Sequence, residues 1–343
     1  MKSKINIKGN TLWKICALVI LAISITCCLV SVTSVVQPTT AIAKQVVPIT
    51  LNDSISTQID GGPLVANYVF CFLAPTGWAA AQNMTVTYTS TLGNGSMKLM
   101  PANALEPASG NTLTWPAACA AKFGIGKNLV NDVQWVVYES AQPISIANGI
   151  TITGQINIKL TVGADGNNTS YFPEYVTCES SDGISDDAYW GNGHDYSLNS
   201  GPCLVQTGTD GDLHDYCNLQ LASINPPKSL DNEFISLTYN NKLDTNTMLK
   251  GNTNLYLCVD SAYLSDGTAL TNFCVQAEKT QLVQTTSNSG LFALTFWPRS
   301  FFNLTSTQTL TKLVYYVTDQ TGTKRVGYGG STTTPFTYKF TCN

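Results

Sequence analysis

Charge is what this 343-residue sequence has least of. Asp, Glu, Lys and Arg make up 12% of it, well below the roughly 25% of an ordinary soluble domain. It holds only two histidines, His194 and His214, so triad or zinc chemistry would have to use one of them. It has no Gly-x-Ser-x-Gly elbow, no His-Glu-x-x-His pair and no phosphate loop ending in Gly-Lys-Ser/Thr. After residue 44 there is no basic stripe. Residues 1–44 carry five lysines and no acid, which leaves 13 basic residues against 22 acidic ones. Nucleic acid, which is bound by cationic groups that displace condensed counterions, is therefore not an expected partner.

What is present is apolar and β-branched. Hydrophobic residues reach 43%, enough for a packed core. Thr, Ser, Asn and Gln supply the polar surface, and Thr fits a pleated sheet. Residues 150–162 alternate cleanly: Ile150, Ile152, Ile156, Ile158, Leu160 and Val162 on one face, Thr and other polar residues on the other, with Gly154 as the interruption. That period of two predicts a half-buried strand. Phe336, Tyr338 and Phe340 repeat the pattern. Further strands are predicted over 64–73, 84–89, 133–138, 234–239, 254–259, 291–296 and 312–318, separated by Gly, Asn, Asp and Pro clusters. One short helix is predicted, Pro116 to Phe123, with Gly124 after it.

The amino terminus reads as a targeting segment. Lys2, Lys4, Lys8 and Lys14 precede an apolar run from Ile15 to Val32, the pattern of a signal peptide. An uncleaved membrane anchor is the alternative, and cleavage after Ala41-Ile42-Ala43 is a third reading. Ser24-Ile25-Thr26-Cys27-Cys28 resembles a bacterial lipobox with departures, which makes Cys27 or Cys28 the expected lipidation site and a membrane the expected tether. Eight of the eleven cysteines follow residue 44. Cys203 with Cys217, and Cys258 with Cys274, are candidate disulfides, and small buried thiols are the competing reading.

Leu113-Thr114-Trp115-Pro116 is echoed by Leu294-Thr295-Phe296-Trp297-Pro298. Each is followed by aromatics and then an apolar strand. A duplicated unit follows from this, each copy with enough short strands for an immunoglobulin-like sandwich, and Trp115 and Trp297 are expected as core anchors. The expected fold is all-β: two tandem immunoglobulin-like β-sandwich domains with a long acidic loop between them. The divisions are a leader and tether over 1–44, a first sandwich over 45–175, an acidic aromatic loop and linker over 176–228, and a second sandwich over 229–343. The middle segment holds eight acids between 176 and 222 and no Lys or Arg.

The motifs Pro75-Thr76-Gly77-Trp78, Met84–Ser90, Gly93-Asn94-Gly95-Ser96-Met97, Thr114-Trp115-Pro116, Phe123-Gly124-Ile125-Gly126, Asn128 and Val133-Gln134-Trp135-Val136-Val137-Tyr138 form one pattern. Together with Trp297-Pro298-Arg299 and Phe301-Phe302, they resemble an uncharacterised domain family of exported Bacteroidetes lipoproteins over most of 45–343. The resemblance implies a lipid-anchored protein of the outer membrane or cell surface, associated with starch-utilisation-type glycan systems and a transporter complex. It carries no catalytic residues over.

Aromatic faces stack on the C–H groups of sugar rings, while Asn, Asp and similar groups bond the hydroxyls. Tyr189, Trp190, Asn192, His194 and Tyr196 combine both in one stretch and are the leading glycan-binding candidates, with Trp78 and Tyr328 behind them. Fastening of the loop to the sandwich is the competing role for Tyr189 and Trp190. Asp210, Asp212 and Asp215 are candidate Ca²⁺ ligands, although Leu221 stands where an EF-hand needs Glu, and a solvated acidic loop is the plainer reading. The expected function is non-catalytic glycan binding within a polysaccharide-uptake system. The alternatives are an assembly module on another outer-membrane protein and a two-carboxylate glycoside hydrolase.

Overall fold

The computed structural model describes residues 28–57, 63–126, 132–186, 194–209, 213–243, 248–287 and 289–341. The chain is all-β and divides between His214 and Asp215 into two compact sheet-built units.

The first unit contains β1 (Cys28–Val36), β2 (Thr40–Ile42), β3 (Val46–Thr57), β4 (Leu64–Ala66) and β5 (Tyr68–Pro75). It continues with β6 (Met84–Ser90), β7 (Gly93–Leu99), β8 (Val133–Ser140), β9 (Ile144–Ile146) and β10 (Thr151–Thr161). Then come β11 (Asn168–Tyr171), β12 (Glu174–Glu179), β13 (Tyr196–Ser200) and β14 (Leu204–Thr207), while β15 (Leu213–Tyr216) spans the point of division. Nine of these strands form one sheet in the order β1-β3-β10-β6-β7-β8-β5-β12-β13. The sheet curls until its two edges lie side by side, where the Val32 N–H donates to Ser197 Oγ at 3.0 Å.

The expected alternation holds in β10, where Ile152, Ile156, Ile158 and Leu160 are buried. In β5 every residue is buried, because both faces are covered, and a strand covered twice reads as a continuous apolar run. Inside, Phe70 and Phe72 stack on Tyr175. On the outside Leu73 and Cys71 lie opposite Trp135 and Val137, and the helix Trp115–Phe123 packs over this face against β8.

Two parts of the expected layout need correcting. Residues 28–42 are not a tether: β1 and β2 are strands of the first unit, with Val30 and Val32 buried. The acidic segment is not a loop either. It contributes β12, which lies between β5 and β13, and then β13 and β14. Its acids do not repel one another into solvent, because several are spent on turns. Glu179 Oε1 accepts from the Asp182 N–H at 2.7 Å, and Oε2 accepts from the Ser181 N–H at 2.6 Å.

The second unit contains β16 (Ala222–Asn225), β17 (Ile235–Asn240), β18 (Leu255–Leu264), β19 (Ala269–Leu270), β20 (Gln281–Gln284), β21 (Leu291–Phe296), β22 (Leu310–Asp319), β23 (Arg325–Val326) and β24 (Phe336–Lys339). The order is β16-β17-β21-β20-β18-β22-β23, with β19 on β18 and β24 on β22. Cys258 and Cys274 form the expected disulfide, and Cys203 and Cys217 are each disulfide-bonded.

Trp115 is buried at 3% exposure, as expected, but Trp297 is 41% exposed. The second motif has Phe296 ahead of its Trp-Pro, and it is Phe296 that takes the inward position at the end of β21, packing on Phe301 at 4.6 Å.

Candidate functional site

A site of the first unit lies where the helix Trp115–Phe123 ends beside β13. Pro116 stands in its first turn, where a missing N–H costs nothing. Trp115, Ala118 and Cys119 form a buried i, i+3, i+4 stripe. Gly124 ends the helix at φ 79°, and its N–H donates to Ala120 O at 3.0 Å. Lys122 sits in the last turn, where the helix dipole favours a cation.

The Lys122 ammonium donates to the Ile184 carbonyl and pairs with Asp186 Oδ1 at 2.9 Å. It also lies 4.5 Å from the centroid of the Tyr196 ring. The same Asp186 oxygen stands 2.9 Å from His194 Nδ1 and accepts the Tyr196 hydroxyl at 3.2 Å. The hydrogen bond from Lys122 is the largest of the influences that hold the Asp186 carboxyl below its usual range, with the bonds from Tyr196 and His194 acting the same way. Burial, then the Asp186 charge, pushes the Tyr196 phenol up to about 12. The Tyr196 ring meets His194 at 4.8 Å and Phe123 at 5.0 Å, and Phe123 rests on Trp135 at 5.9 Å. Trp135 is itself held by its indole N–H on Gly124 O at 2.8 Å.

A cleft of about 440 Å³ opens alongside, lined by Glu106, Ser109, Leu113, Ala118, Lys122 and Asp186 among others. This volume suits a small ligand. Lys122 and Asp186 belong both to its wall and to the aromatic cluster. Glu106 is 1% exposed and fully engaged. Its Oε1 accepts from Ala108 and Ile184 N–H groups at 3.0 and 2.9 Å, and its Oε2 from Ser109 N–H at 2.7 Å. That carboxylate is a structural anchor of the cleft. Gly183 passes close beside it at φ +67°, where any Cβ would collide with Glu106 Oε1.

Of the residues proposed from sequence, His194 and Tyr196 are brought together here. Tyr189, Trp190 and Asn192 lie outside the described residues. Trp78 is corrected: it is 1% exposed, donates to Gln206 Oε1 at 3.1 Å and packs edge-on against Tyr171. It is a core residue, because its indole found a buried amide. Tyr328 belongs to the second unit and donates to the Asp215 carboxylate. Asp215 Oδ1 also accepts from the Cys217 and Asn218 N–H groups at 2.9 and 3.2 Å, so this acid closes a turn. Asp210, Asp212 and Cys27 lie outside the described residues, and of Cys28 only the backbone is described, at the start of β1. Among the described residues no group of three His, Cys, Asp or Glu side chains could hold a metal ion. Among them, too, no helix is long and apolar enough to cross a membrane.

Sequence reasoning missed Lys122, Glu106 and the role of Asp186. One signal was available: eight acids with no local cation need counter-charges from elsewhere in the chain, and Lys122 closes the only predicted helix.

Residues 30–220 match the domain of unknown function DUF4961, and residues 222–326 match a second domain of unknown function, DUF8578. No curated protein matches the sequence. Among solved structures, the C-terminal domain of the Streptococcus pyogenes antigen I/II-family protein AspA is 8% identical, with a TM-score of 0.26, over 92% of this chain and 99% of that one. The C-terminal domain of the Streptococcus agalactiae AgI/II polypeptide BspA is 8% identical, with a TM-score of 0.22, over 85% and 94%. The B domain of a biofilm associated protein is 10% identical, with a TM-score of 0.26, over 90% and 85%. Overlaps this loose carry neither structure nor role from one chain to another.

Proposed function

Because the chain belongs to the family of the DUF4961 domain, whose function is unknown, we propose from the site itself that it is a non-catalytic glycan-binding protein. The observation that carries this reading is the sharing of Lys122 and Asp186 between a ligand-sized cleft and the Tyr196–His194–Phe123 aromatic cluster. Tyr196 and His194 offer ring faces to sugar C–H groups, and Asp186 and Lys122 offer an acceptor and a donor to hydroxyls. Tyr189, Trp190 and Asn192, which stand between Asp186 and His194 in sequence, carry side chains of the same chemistry.

The setting we propose is the outer membrane or cell surface of a Bacteroidetes-type cell, with lipid attachment at Cys27 or Cys28. The protein acts there beside a polysaccharide transporter. The Cys258–Cys274 disulfide supports an oxidising compartment. Affinity electrophoresis of the full chain against a polysaccharide panel tests the binding. Retardation that is lost in Tyr196→Ala and Lys122→Ala supports it, and no retardation by any glycan removes it.

A second reading rests on a separate observation. In the second unit Phe234, Val283 and Trp297 are exposed. Val283 lies opposite Ala293, and Phe234 and Trp297 flank the terminal pair Ile235–Phe296. Exposed apolar groups of this kind suit contact with another protein. A stoichiometric membrane partner that co-purifies with wild type and is lost in Trp297→Ala, without sugar affinity, would establish this assembly role instead.

A further inference from the structure

We propose that one end of the curled sheet holds a second ligand site, which takes a single ammonium group on a short apolar stem down to Asp53. The mouth lies beside the β6–β7 hairpin, where Tyr88, Leu92, Asn94, Pro143 and Ile144 line a cavity of about 320 Å³. The mouth of a closed sheet is a common place for a small ligand, and this volume suits one. A narrower cavity of about 10 Å³ adjoins it, with Asp53, Ile55, Tyr68, Ile152 and Gly154 in its wall. Tyr88, Ser90 and Ile144 belong to both, so the two cavities meet.

The sequence of two neighbouring strands makes the inner cavity. On β3, Asp53 interrupts an inward row of Val47, Ile49, Leu51 and Ile55, and it is 7% exposed. Opposite it on β10, Gly154 interrupts an inward row of isoleucines. A Cβ on Gly154 would sit 3.3 Å from Asp53 Oδ1 and only 2.7 Å from Thr89 O. Oδ1 therefore faces the space that Gly154 leaves empty. It has no hydrogen-bond partner, while Oδ2 accepts the Tyr68 hydroxyl.

The Tyr88 ring is fixed at the junction of the cavities. It lies across Gly95, its cross-strand partner, where a Cβ would come within 2.6 Å of the ring. An aromatic side chain covers a strand glycine in this way, and its ring also attracts a cation.

The unmet needs of the pocket name the ligand. An acceptor oxygen without a donor calls for an N–H or O–H group. A buried carboxyl without a counter-charge calls for a cation. Among the described residues no Lys, Arg or His lines either cavity. An ammonium meets both needs with one group, of about the size of the single water the inner cavity can admit. A hydroxyl meets only the first. A metal ion such as Ca²⁺ needs many more oxygens than one carboxylate and one phenol supply. Leu92, Pro143, Ile144 and Ile55 give a short hydrocarbon stem an apolar path. None of these residues lines the Lys122–Asp186 cleft, so the proposal stands whether or not that cleft binds a glycan.

The test is a thermal melt of the full chain at pH 8, where a primary amine keeps its proton. Butylammonium chloride, n-butanol and calcium chloride are each compared with sodium chloride at matched ionic strength. A compound that binds only the folded chain raises the melt. The expected result is a saturating rise with butylammonium that neither n-butanol nor calcium gives. Asp53→Asn keeps the shape of the site and removes its charge, so an equal rise should need about ten times more amine. The proposal is overturned if butylammonium gives no rise, if n-butanol or calcium matches it, or if Asp53→Asn responds as wild type does. The wild-type comparison of the amine with its neutral isostere decides the matter even if the variant does not fold.

Discussion

Inside the curled sheet of the first unit, the Tyr68 hydroxyl donates to Asp53 Oδ2, and Asp53 Oδ1 has no hydrogen-bond partner. Asp53 is buried on the face of β3 that otherwise carries Val47, Ile49, Leu51 and Ile55. Its cross-strand neighbour is Gly154, the residue that interrupts the alternation of β10. The gap left there is about large enough for one water.

Burial raises the Asp53 carboxyl above its ordinary 3.8, outweighing the Tyr68 bond that lowers it. The folded state therefore holds this proton to higher pH than the unfolded chain. The stability it contributes is fully present below the unfolded value and is lost as pH rises through the folded one. Asp53→Asn removes the charge and keeps the shape. We expect it to melt higher than wild type at pH 8, because no charge is left to bury, with a flatter stability–pH curve. Equal pH dependence of the two proteins in thermal melts would sink this account.

Asp186 has the opposite sign. Its folded carboxyl is lowered, with Lys122 the first cause. The pairing is present above the ordinary carboxylate value and fades as pH falls through the folded one. The pair is exposed on the Asp186 side, so Lys122→Met should cost less than about 1 kcal/mol of stability. Glycan affinity, in contrast, should fall about tenfold, equivalent to roughly 1.4 kcal/mol. Calorimetric titration beside a thermal melt separates the two effects. A large stability loss with unchanged affinity would assign Lys122 to the fold alone.

Gly183→Ala tests the cleft floor. The substitution forces a left-handed backbone on alanine and drives its Cβ into Glu106 Oε1 and toward Pro107. Left-handed strain of about 1–2 kcal/mol adds to any weakening of the three N–H bonds on Glu106. A denaturant midpoint within error of wild type would show that Glu106 can move without loss.

Trp78→Ala and Tyr196→Ala separate core from site. Trp78 is enclosed by Tyr171 and Gln206, so its truncation should cost about 3–5 kcal/mol. Tyr196 is partly exposed, and its loss should leave the melt within about 1–2 kcal/mol of wild type while abolishing glycan retardation. If both variants bind and melt alike, the division drawn between them is wrong.

Local patterns read correctly where one stretch of chain carries the whole signal. Ile152, Ile156, Ile158 and Leu160 announce β10, because side chains on a strand alternate faces whatever the partner strands are. The helix ending at Phe123 is legible from Pro116, four alanines and Gly124. The acidic segment was misread because its carboxylates looked unpaired in sequence. Their partners are either backbone N–H groups of the next few residues, as for Glu179 and Asp215, or side chains from far along the chain, as where Lys122 pairs with Asp186 and Tyr328 donates to Asp215.

Sequence by itself determined that the chain is all-β in two sheet-built parts, since strand periodicity and turn chemistry act over a few residues. Only the tertiary structure decided that the acidic stretch supplies strands of the first sheet, that Trp78 is core while Trp297 is exposed, and that Lys122, Asp186, His194 and Tyr196 share one corner. Those outcomes depend on which faces are covered and which distant charges come within about 3 Å, and neither is encoded in the spacing of neighbouring residues.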